Sequence, residues 1–256
     1  MALIFDSHAH YDDTAFDADR DELLARLPSQ GVGAVINAAT EPHSAVRCID
    51  MAHRYAHVYA AVGVHPEAVG RATDDWLAAV ARLARDPKVV AIGEIGLDYH
   101  YDDAAPREVQ KQWMRRQLAL AGEMNLPVIV HDRDAHEDTL SLLREYRPRG
   151  VVHCFSGSVE MMREVVELGM YIGLGGAATF KNAKRPAAVA AAVPLERLLL
   201  ETDAPYMAPE PCRGQRCDSS LIRHTAQKIA ELRGMDTADL LNSTYENATR
   251  LFLQNR

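Results

Sequence analysis

The sequence predicts an α/β protein, a (β/α)8 TIM barrel built from a single domain of residues 1–256. Eight short apolar runs alternate with stretches whose apolar residues recur at helical spacing. The runs begin about 28 residues apart, close to the length of one strand–helix unit. Apolar strands that alternate with helices are typical of parallel sheets, and eight of them can close into a barrel. An open doubly wound sheet is the alternative, but the GxGxxG sequence of dinucleotide-binding folds does not follow the first strand.

Each predicted strand is an apolar run bounded by polar or turn-forming residues. The strands cover residues 2–5, 32–37, 58–64, 89–93, 127–130, 150–155, 170–174 and 197–201. Helices are predicted at 17–31, 42–56, 73–86, 106–125, 138–146, 158–169 and 185–193. Two more amphipathic stretches, 219–234 and 236–254, follow a loop rich in Pro, Gly and Arg. We expect these C-terminal helices to pack on the barrel.

Composition and charge narrow the class of protein. Of the 256 residues, 48% are hydrophobic, and the net charge is -8 at pH 7. A protein that binds long nucleic acids by charge alone is normally basic, so contact with nucleic acid is expected to be local or assisted by metal ions. The chain shows no apolar run of membrane-spanning length and no leader sequence. These features predict a cytoplasmic protein without membrane association and without an evident obligate protein partner.

Ionisable side chains stand at the carboxyl ends of six predicted strands. They are His8 and His10 after strand 1, His65 after strand 3, Glu94 after strand 4, His131 after strand 5, His153 in strand 6 and Asp203 after strand 8. In a barrel, these ends form the face that carries the active site. Because side chains alternate along a strand, His8 and His10 point the same way and can contact one ion.

A metal site explains this set of residues better than packing does. One histidine at a strand end is usually a packing residue. Four imidazoles and two carboxylates together, without a cation, would carry large desolvation and repulsion costs. Six ligands exceed the four of a tetrahedral ion and suit two divalent ions, Mg, Mn or Zn, that share a carboxylate. Such a pair can activate water and hold a phosphoryl group.

Seven ordered segments resemble those of the TatD-family metal-dependent deoxyribonucleases of the amidohydrolase superfamily. The segments are DSHAHYD, GVHP, AIGEIGLDYHY, LPVIVHDRDA, GVVHCFSGS, LGMYIGLGGAATFKNAKRP and VPLERLLLETDAPYMAP, between residue 5 and about residue 253. The resemblance implies two ion positions joined by a bridging Glu94. His8, His10 and Asp203 would hold the first ion, and His131 and His153 the second. In the superfamily the strand-8 aspartate also handles the proton of the attacking water, which makes Asp203 the expected general base.

The chain departs from the family pattern in two places. Ala9 stands where the family usually has cysteine between the two strand-1 histidines. Many relatives read PxRGKRNEP after strand 8, whereas this chain reads EPCRGQRCDSS. Arg213 and Arg216 are retained, but the Asn-Glu-Pro portion is absent. This loop is expected to border the substrate cleft, so the second departure bears on substrate preference.

Several residues are expected to serve the substrate or the ligands. His65 is the expected contact to substrate phosphate or to water, with loop capping before Pro66 as the alternative. The candidate phosphate contacts are Arg133, Lys181 and Arg213. The alternative for Arg133 is an ion pair with Asp132 or Asp134, and the alternative for Lys181 is a solvated loop lysine. Asp6 and Glu201 are expected to orient metal-binding imidazoles. The side chains that can stack on bases are Tyr99, Tyr101 and Tyr206, with packing at the rim of the barrel as the alternative for each.

The leading functional prediction is a divalent-metal-dependent phosphodiester hydrolase that acts on DNA at ends or on single strands. Asp203, Glu94 and His65 are its expected catalytic residues. A hydrolase of carbon esters or amides is the first alternative, because the same site activates water for carbonyls. The basic residues near the cleft favour phosphate. A metal-dependent binding module without activity is the second alternative, and it would require a missing ligand.

Overall fold

Within residues 2–254, which the computed structural model describes, eight parallel strands follow one another in sequence order around one sheet. The strands are β1 (Ile4–Ala9), β2 (Val32–Ala38), β3 (Val58–Val62), β4 (Val89–Asp98), β5 (Val128–Arg133), β6 (Gly150–Val152), β7 (Tyr171–Leu174) and β8 (Leu198–Leu200). The α-helices are α1 (Arg20–Arg26), α2 (Pro42–Arg54), α3 (Asp74–Leu83), α4 (Arg107–Glu123), α5 (His136–Tyr146), α6 (Val159–Glu167), α7 (Lys184–Ala192), α8 (Ile222–Arg233) and α9 (Thr237–Phe252). Short 3-10 helices cover Thr14–Phe16, Leu27–Gln30, Val69–Arg71, Gly176–Thr179, Leu195–Arg197 and Ser219–Leu221. None of the helices in this part of the chain is both long and apolar enough to cross a membrane.

The barrel closes where the segment after β8 meets β1. Ala9 and Ala204 form a parallel bridge. The amide of Asp203 donates to the carbonyl of His8 at 3.0 Å, and the amide of His10 donates to the carbonyl of Ala204 at 2.7 Å. Closure therefore takes place at the carboxyl ends of the strands, beside the predicted ligands. The predicted (β/α)8 barrel is confirmed.

Buried apolar side chains form an inner layer within the barrel and an outer layer between the strands and the helices. The inner layer includes Phe5, Ile129 and Leu199. Helix α9 covers this layer at the amino ends of the strands, and the ring centroid of its Phe252 lies 6.4 Å from that of Phe5. The C-terminal helices thus pack on the barrel as predicted, and α9 closes the end opposite to the strand termini that carry the ligands.

Two shifts in strand register change which side chains face the barrel interior. Ile92 and Ile95 both lie in the outer layer although they are three residues apart, and the pairing of β4 with β5 shifts between them. Glu94 lies within this irregular segment. The pairing of β1 with β2 shifts between Asp6 and Ala9, and this interval contains His8. Bulges of this kind re-aim side chains next to active sites.

Three predicted strands end at least three residues before the observed ones, and one of them is β5, which continues to Arg133 instead of residue 130. β4 continues to Asp98 instead of residue 93, because its backbone pairs with β5 as far as the Asp98–Arg133 position. β1 continues to Ala9 instead of residue 5. His8 and Glu94 therefore lie within strands and not after them, so their backbones are held by the sheet.

Candidate metal centre

The six predicted ligand side chains converge at the carboxyl ends of the strands. Together with those of His65, their nitrogen and oxygen atoms form three groups in which the atoms that could bind a metal all lie within 4.8 Å of one another. The groups are His8–His10–Asp203, His8–Glu94–His153 and His65–Glu94–His131. Because His8 and Glu94 each belong to two groups, the residues form one continuous cluster. Imidazole and carboxylate are the ligands that divalent transition metals take in proteins.

The Glu94 carboxylate lies at the centre of this cluster and faces two separate pairs of imidazoles. Its Oε2 atom lies 3.3 Å from Nε2 of His8 and 3.4 Å from Nε2 of His10. Its Oε1 atom lies 2.9 Å from Nδ1 of His131 and 2.7 Å from Nε2 of His153. Glu94 is only 2% exposed. A buried carboxylate with this environment can bridge two cations.

Asp203 completes the group around the strand-1 histidines. Its Oδ1 atom lies 3.4 Å from Nε2 of His10 and 3.7 Å from Nε2 of His8. The backbone of Asp203 is left-handed, with a φ of 63°, and the bond from its amide to β1 fixes the residue against the barrel. The side chain is 21% exposed, so this carboxylate also reaches the solvent above the cluster.

Hydrogen bonds on the far side of two rings determine which nitrogen faces the cluster. Nδ1 of His10 lies 2.9 Å from the carbonyl oxygen of Ala38, so the neutral ring carries its proton there. Nε2 of His131 lies 3.0 Å from Oδ2 of Asp98 and donates to it in the same way. The other nitrogen of each neutral ring then directs a lone pair towards Glu94. This is the tautomer that metal ligation requires.

The charges of the cluster oppose one another without a cation. Burial alone would lower the pKa of His10, but its hydrogen bond to Asp203 and the charge of Glu94 raise that pKa to about 10. Burial and the charge of His153 lower the pKa of His8 to about 4. The Nε2 atoms of His8 and His10 are 3.0 Å apart. Nδ1 of His8 and Nδ1 of His153 are buried and have no hydrogen-bond partner among residues 2–254. A divalent cation would balance the carboxylates and accept lone pairs from the Nε2 atoms of His8 and His153 that face Glu94, so these residues fit one.

Asp98 belongs to the site although the sequence analysis did not predict it. It is 1% exposed and accepts the hydrogen bond from His131. Burial would raise its pKa, but this bond and a bond from the amide of His100 lower the pKa. Asp98 follows Glu94 by four residues on the same strand. Because side chains alternate along a strand, Asp98 could have been predicted to face the same way as Glu94 if β4 had been known to extend to it.

Glu201 lies beside His153 without a hydrogen bond to its ring. Its Oε1 atom is 3.8 Å from Nδ1 of His153 and accepts a hydrogen bond from the amide of Cys154. Burial raises the pKa of Glu201 to about 7. The carboxylate fits against Gly173 of β7, where a Cβ atom would lie 2.4 Å from Oε2. Only glycine leaves room for Glu201 in this position.

Asp6 does not orient an imidazole, which corrects the sequence-based expectation. Its Oδ2 atom accepts hydrogen bonds from the hydroxyls of Thr202 and Ser219, each at 2.7 Å. Its Oδ1 atom accepts from the backbone amides of Thr202 and His8. The register shift after Asp6 breaks the alternation on which the expectation was based. Asp6 instead joins β1 to the segment after β8 and to the start of α8.

A cleft of about 730 Å³ opens above the cluster. Glu94, His131, His153 and Asp203 form its floor. Ionisable and aromatic side chains on its walls are Asp12, Asp13, His65, Glu67, Arg71, Asp98, Tyr101, Asp132, Arg133 and Tyr206. Seven carboxylates and two guanidinium groups line the cleft, so an anionic substrate would need the positive charge of bound cations.

The length of the chain and the order of these residues match one known family. Residues 5–253 match the family model described as TatD related DNase. The chain belongs to the TatD-related DNase family. The resemblance inferred from seven short segments is therefore confirmed, and it extends over the barrel and both C-terminal helices.

TatD-family relatives match this chain over its full length. It is 41% identical over 253 residues to YabD of Bacillus subtilis, an uncharacterized metal-dependent hydrolase, covering 98% of this chain and 99% of YabD. It is 36% identical over 261 residues to the 3'-5' ssDNA/RNA exonuclease TatD of Cronobacter sakazakii, covering 98% of each. The crystal structure of YjjV, a TatD homolog from Escherichia coli K12, superposes with a TM-score of 0.92 at 36% identity over 98% of each chain.

The predicted phosphate contacts of this TatD-family protein separate into two sets. Arg133 lines the cleft. Lys181 and Arg213 are exposed and lie outside the residues that line it, and the guanidinium carbon of Arg213 stands 3.8 Å above the ring of Phe180. Arg216 pairs with Asp19 at 2.6 Å. The expectation that Lys181 and Arg213 contact substrate phosphate gains no support, because neither side chain lines the cleft.

His65 enters the cleft from the loop after β3 and differs from the other histidines of the cluster. Its Nδ1 atom accepts a hydrogen bond from the amide of Glu67 at 3.2 Å. The proton of the neutral ring is therefore on Nε2, which lies 3.5 Å from Oε1 of Glu94. A nitrogen that carries a proton donates a hydrogen bond and does not ligate a metal. His65 is accordingly a donor into the site.

Proposed function

We propose that this TatD-family chain is a divalent-metal-dependent phosphodiesterase that hydrolyses DNA at strand ends or on single strands. The observation that carries the proposal is the position of Glu94, whose two oxygens face separate pairs of imidazoles. A shared carboxylate of this kind is suited to two ions that act together on a phosphoryl group. The family description names a DNase, and one relative is named an ssDNA/RNA exonuclease, which supports phosphodiesters as the bond class.

The cluster fits two divalent ions, with Mg, Mn and Zn as the candidates. His8, His10 and Asp203 are the residues that would hold the first ion. His131 and His153 would hold the second, and Glu94 would contact both. Ions bound there lower the pKa of water and offset negative charge on the phosphoryl oxygens. Four imidazoles favour Zn or Mn, while the carboxylates also suit Mg.

Asp203 is the residue placed to accept the proton of the attacking water. Burial would raise its pKa, but the hydrogen bond with His10 and the charges of the neighbouring imidazoles lower the pKa. The carboxylate is therefore ionised at neutral pH. Asp203 lines the cleft and is more exposed than Glu94, at 21% against 3% of the side chain. It can thus reach the water and the cluster at once, as a general base must.

Two side chains of the cleft are placed to donate hydrogen bonds to the substrate phosphate. His65 presents a protonated Nε2 beside Glu94. Arg133 carries a guanidinium at the mouth of the cleft, where a charge-assisted pair with a phosphate oxygen can form. Because His65 contacts the cluster and Arg133 does not, His65 is assigned to the scissile phosphate and Arg133 to a neighbouring one.

The two alternative functions are less well supported. A hydrolase of carbon esters or amides would use the same cluster, but it has no need for a cationic side chain at the cleft mouth. A binding module without activity would need a missing ligand or a blocked water site. All six ligand residues lie together, and the cleft is open above them.

The proposal is tested by digestion of end-labelled oligonucleotides, single- and double-stranded, in Mg²⁺, Mn²⁺, Zn²⁺ or EDTA. Wild type should shorten DNA only with metal, and Glu94→Gln, which removes the shared carboxylate, should lose this activity. Glu167→Gln, an exposed substitution on α6, is the matched control and should digest like wild type. Activity in EDTA, or full activity of Glu94→Gln, would contradict the proposal. Turnover of a carboxylic ester without cleavage of DNA would establish the first alternative.

A further inference from the structure

Two exposed tyrosine rings line the cleft above the cluster. Tyr206 is 55% exposed and Tyr101 is 46% exposed. In the described part of the chain, the other large hydrophobic side chains of comparable exposure are Leu3 and Val46, and neither lines the cleft. Exposing an aromatic face to water forfeits hydrophobic free energy. The concentration of such faces at the cleft therefore points to a ligand that covers them.

The two rings stand on opposite sides of the cluster. Tyr101 follows β4, and Tyr206 follows β8. Since the eight strands neighbour one another in sequence order around a closed barrel, β4 and β8 are diametrically opposed. Glu94 and Asp203 come from the carboxyl ends of these same two strands. A phosphodiester held at the cluster would have one aromatic ring on each side.

Polar contacts fix the orientation of each ring. The hydroxyl of Tyr206 donates to Oδ2 of Asp13 at 2.9 Å, and its amide bonds to the carbonyl of Asp203 at 2.9 Å. The hydroxyl of Tyr101 accepts from Nη1 of Arg133 at 3.1 Å, and the Arg133 guanidinium carbon lies 5.1 Å from the ring centroid. Rings that are already ordered lose little conformational entropy when a ligand binds.

We infer that Tyr101 and Tyr206 are stacking sites for two unpaired nucleobases on either side of the scissile phosphodiester. This inference rests on the proposed function and names its substrate class, a strand whose bases can turn outwards. Stacking on aromatic rings tolerates any base, because every base has a π face. A base within a duplex would first have to leave its stack and its pair. The tyrosines therefore favour single strands and frayed ends over duplex DNA.

Equilibrium binding of a fluorescein-labelled phosphorothioate oligothymidylate, which resists hydrolysis, tests the inference. Binding is measured by fluorescence anisotropy in Mn²⁺ at one fixed ionic strength, because phosphate contacts depend on salt. Tyr101→Ala and Tyr206→Ala should each raise Kd on the order of 10-fold, the scale that alanine substitution gives for a stacked base. Tyr101→Phe and Tyr206→Phe keep the ring and should remain within about threefold of wild type. Val46→Ala, which removes an exposed apolar side chain outside the cleft, should bind like wild type.

A second ligand separates stacking from general damage to the cleft. An abasic oligomer with the same number of phosphorothioates lacks both stacked bases, so it should bind wild type more weakly than either alanine variant binds oligothymidylate. The alanine substitutions should then weaken abasic binding by less than about twofold, because no base remains to be stacked. Melting temperatures equal to that of wild type establish that the variants are folded. The phenylalanine variants test the role of the rings even if an alanine variant unfolds.

The outcomes distinguish this inference from the function on which it rests. Alanine variants that bind oligothymidylate as wild type does, or an abasic oligomer that binds as tightly as oligothymidylate, would overturn the stacking sites even if wild type digests DNA. The alanine variants could bind oligothymidylate more weakly than wild type does and the abasic oligomer about equally, while no metal supports cleavage of DNA. That result would uphold the stacking sites and overturn the phosphodiesterase.

Discussion

Asp98 holds the ring of His131 from the side opposite to the cluster. Its Oδ2 atom lies 3.0 Å from Nε2, while Nδ1 of the same ring faces Glu94 at 2.9 Å. Asp98→Ala removes the acceptor that fixes this tautomer. We expect the affinity for one of the two ions to fall roughly 10- to 100-fold, the usual cost of losing such a partner, with the ion near His10 less affected. Calorimetric titration with Mn²⁺ or Zn²⁺ measures both affinities.

Asp134→Ala is the matched control for this substitution. Asp134 follows β5, next to the end of β4, but its carboxylate pairs with His100 at 2.9 Å and not with a predicted ligand. Its removal should leave both metal affinities unchanged. Equal affinities in Asp98→Ala and wild type would show that the position of His131 does not depend on Asp98.

Gly173 determines where Glu201 can lie, and through it the surroundings of His153. A methyl group at this position would stand 2.4 Å from Oε2 of Glu201, so Gly173→Ala must displace the carboxylate from the amide of Cys154. Crowding a packed site in this way costs typically about 1–3 kcal/mol of stability. We expect a lower melting temperature in calorimetry and weaker binding of the ion near His153 in metal titration.

Gly122→Ala controls for the added methyl group. A Cβ atom at Gly122, on α4, would meet no other atom within 4 Å. Alanine there should stabilise the helix by roughly 0.5–1 kcal/mol, because glycine loses more backbone entropy on folding. A Gly173→Ala protein that melts and binds metal like Gly122→Ala would contradict the role assigned to Glu201.

Arg133 should contribute to DNA binding more than the other two predicted phosphate contacts. Arg133→Ala removes the cationic side chain at the cleft mouth, and hydrogen bonds to charged groups are worth about 1.5–3 kcal/mol. We expect KM for single-stranded DNA to rise about 10-fold, with kcat less affected. Lys181→Ala and Arg213→Ala should change KM by no more than about twofold, because both side chains lie outside the cleft. A larger effect of either would indicate that the substrate extends over the loops after β7 and β8.

Strand alternation predicted the parts of the site that lie on regular strands. Ile129 and Leu199 face the barrel interior, and so do the side chains two residues later, His131 and Glu201. Strand alternation gave a wrong prediction for the contacts of Asp6, because the register of β1 shifts after this residue. A bulge depends on how the neighbouring strand pairs, and a single sequence does not record that pairing.

Long-range packing limited the rest of the prediction. Asp98 was missed because pairing with β5 extends β4 beyond the apolar run that defined the strand. Lys181 and Arg213 were placed near the substrate by their closeness in sequence to β7 and β8, but loop conformation decides where such side chains point. The convergence of the six candidate ligands was easier to predict, since each lies within a few residues of a strand end and a barrel brings all strand ends together.

The last prediction separates the two roles of Asp203. Asp203→Asn keeps the size of the side chain and an oxygen for ligation, and the backbone bond to His8 that holds the residue is unaffected. The amide cannot accept a proton from water at neutral pH, and general-base catalysis contributes typically 10²–10⁴-fold. We expect kcat to fall on the order of 10²-fold or more, with little change in KM or in melting temperature.

Saturating metal must be present in this assay, because a weakened first ion would also lower kcat. His65 gives the comparison, since its Nδ1 accepts from the amide of Glu67 and its Nε2 carries the proton. His65→Gln keeps a hydrogen-bond donor and should lose less activity than Asp203→Asn. If Asp203→Asn instead turns over oligonucleotides within about threefold of wild type, the loss is far below the cost of removing a general base. Asp203 would then be a ligand only, and the proton would pass to another acceptor in the cleft.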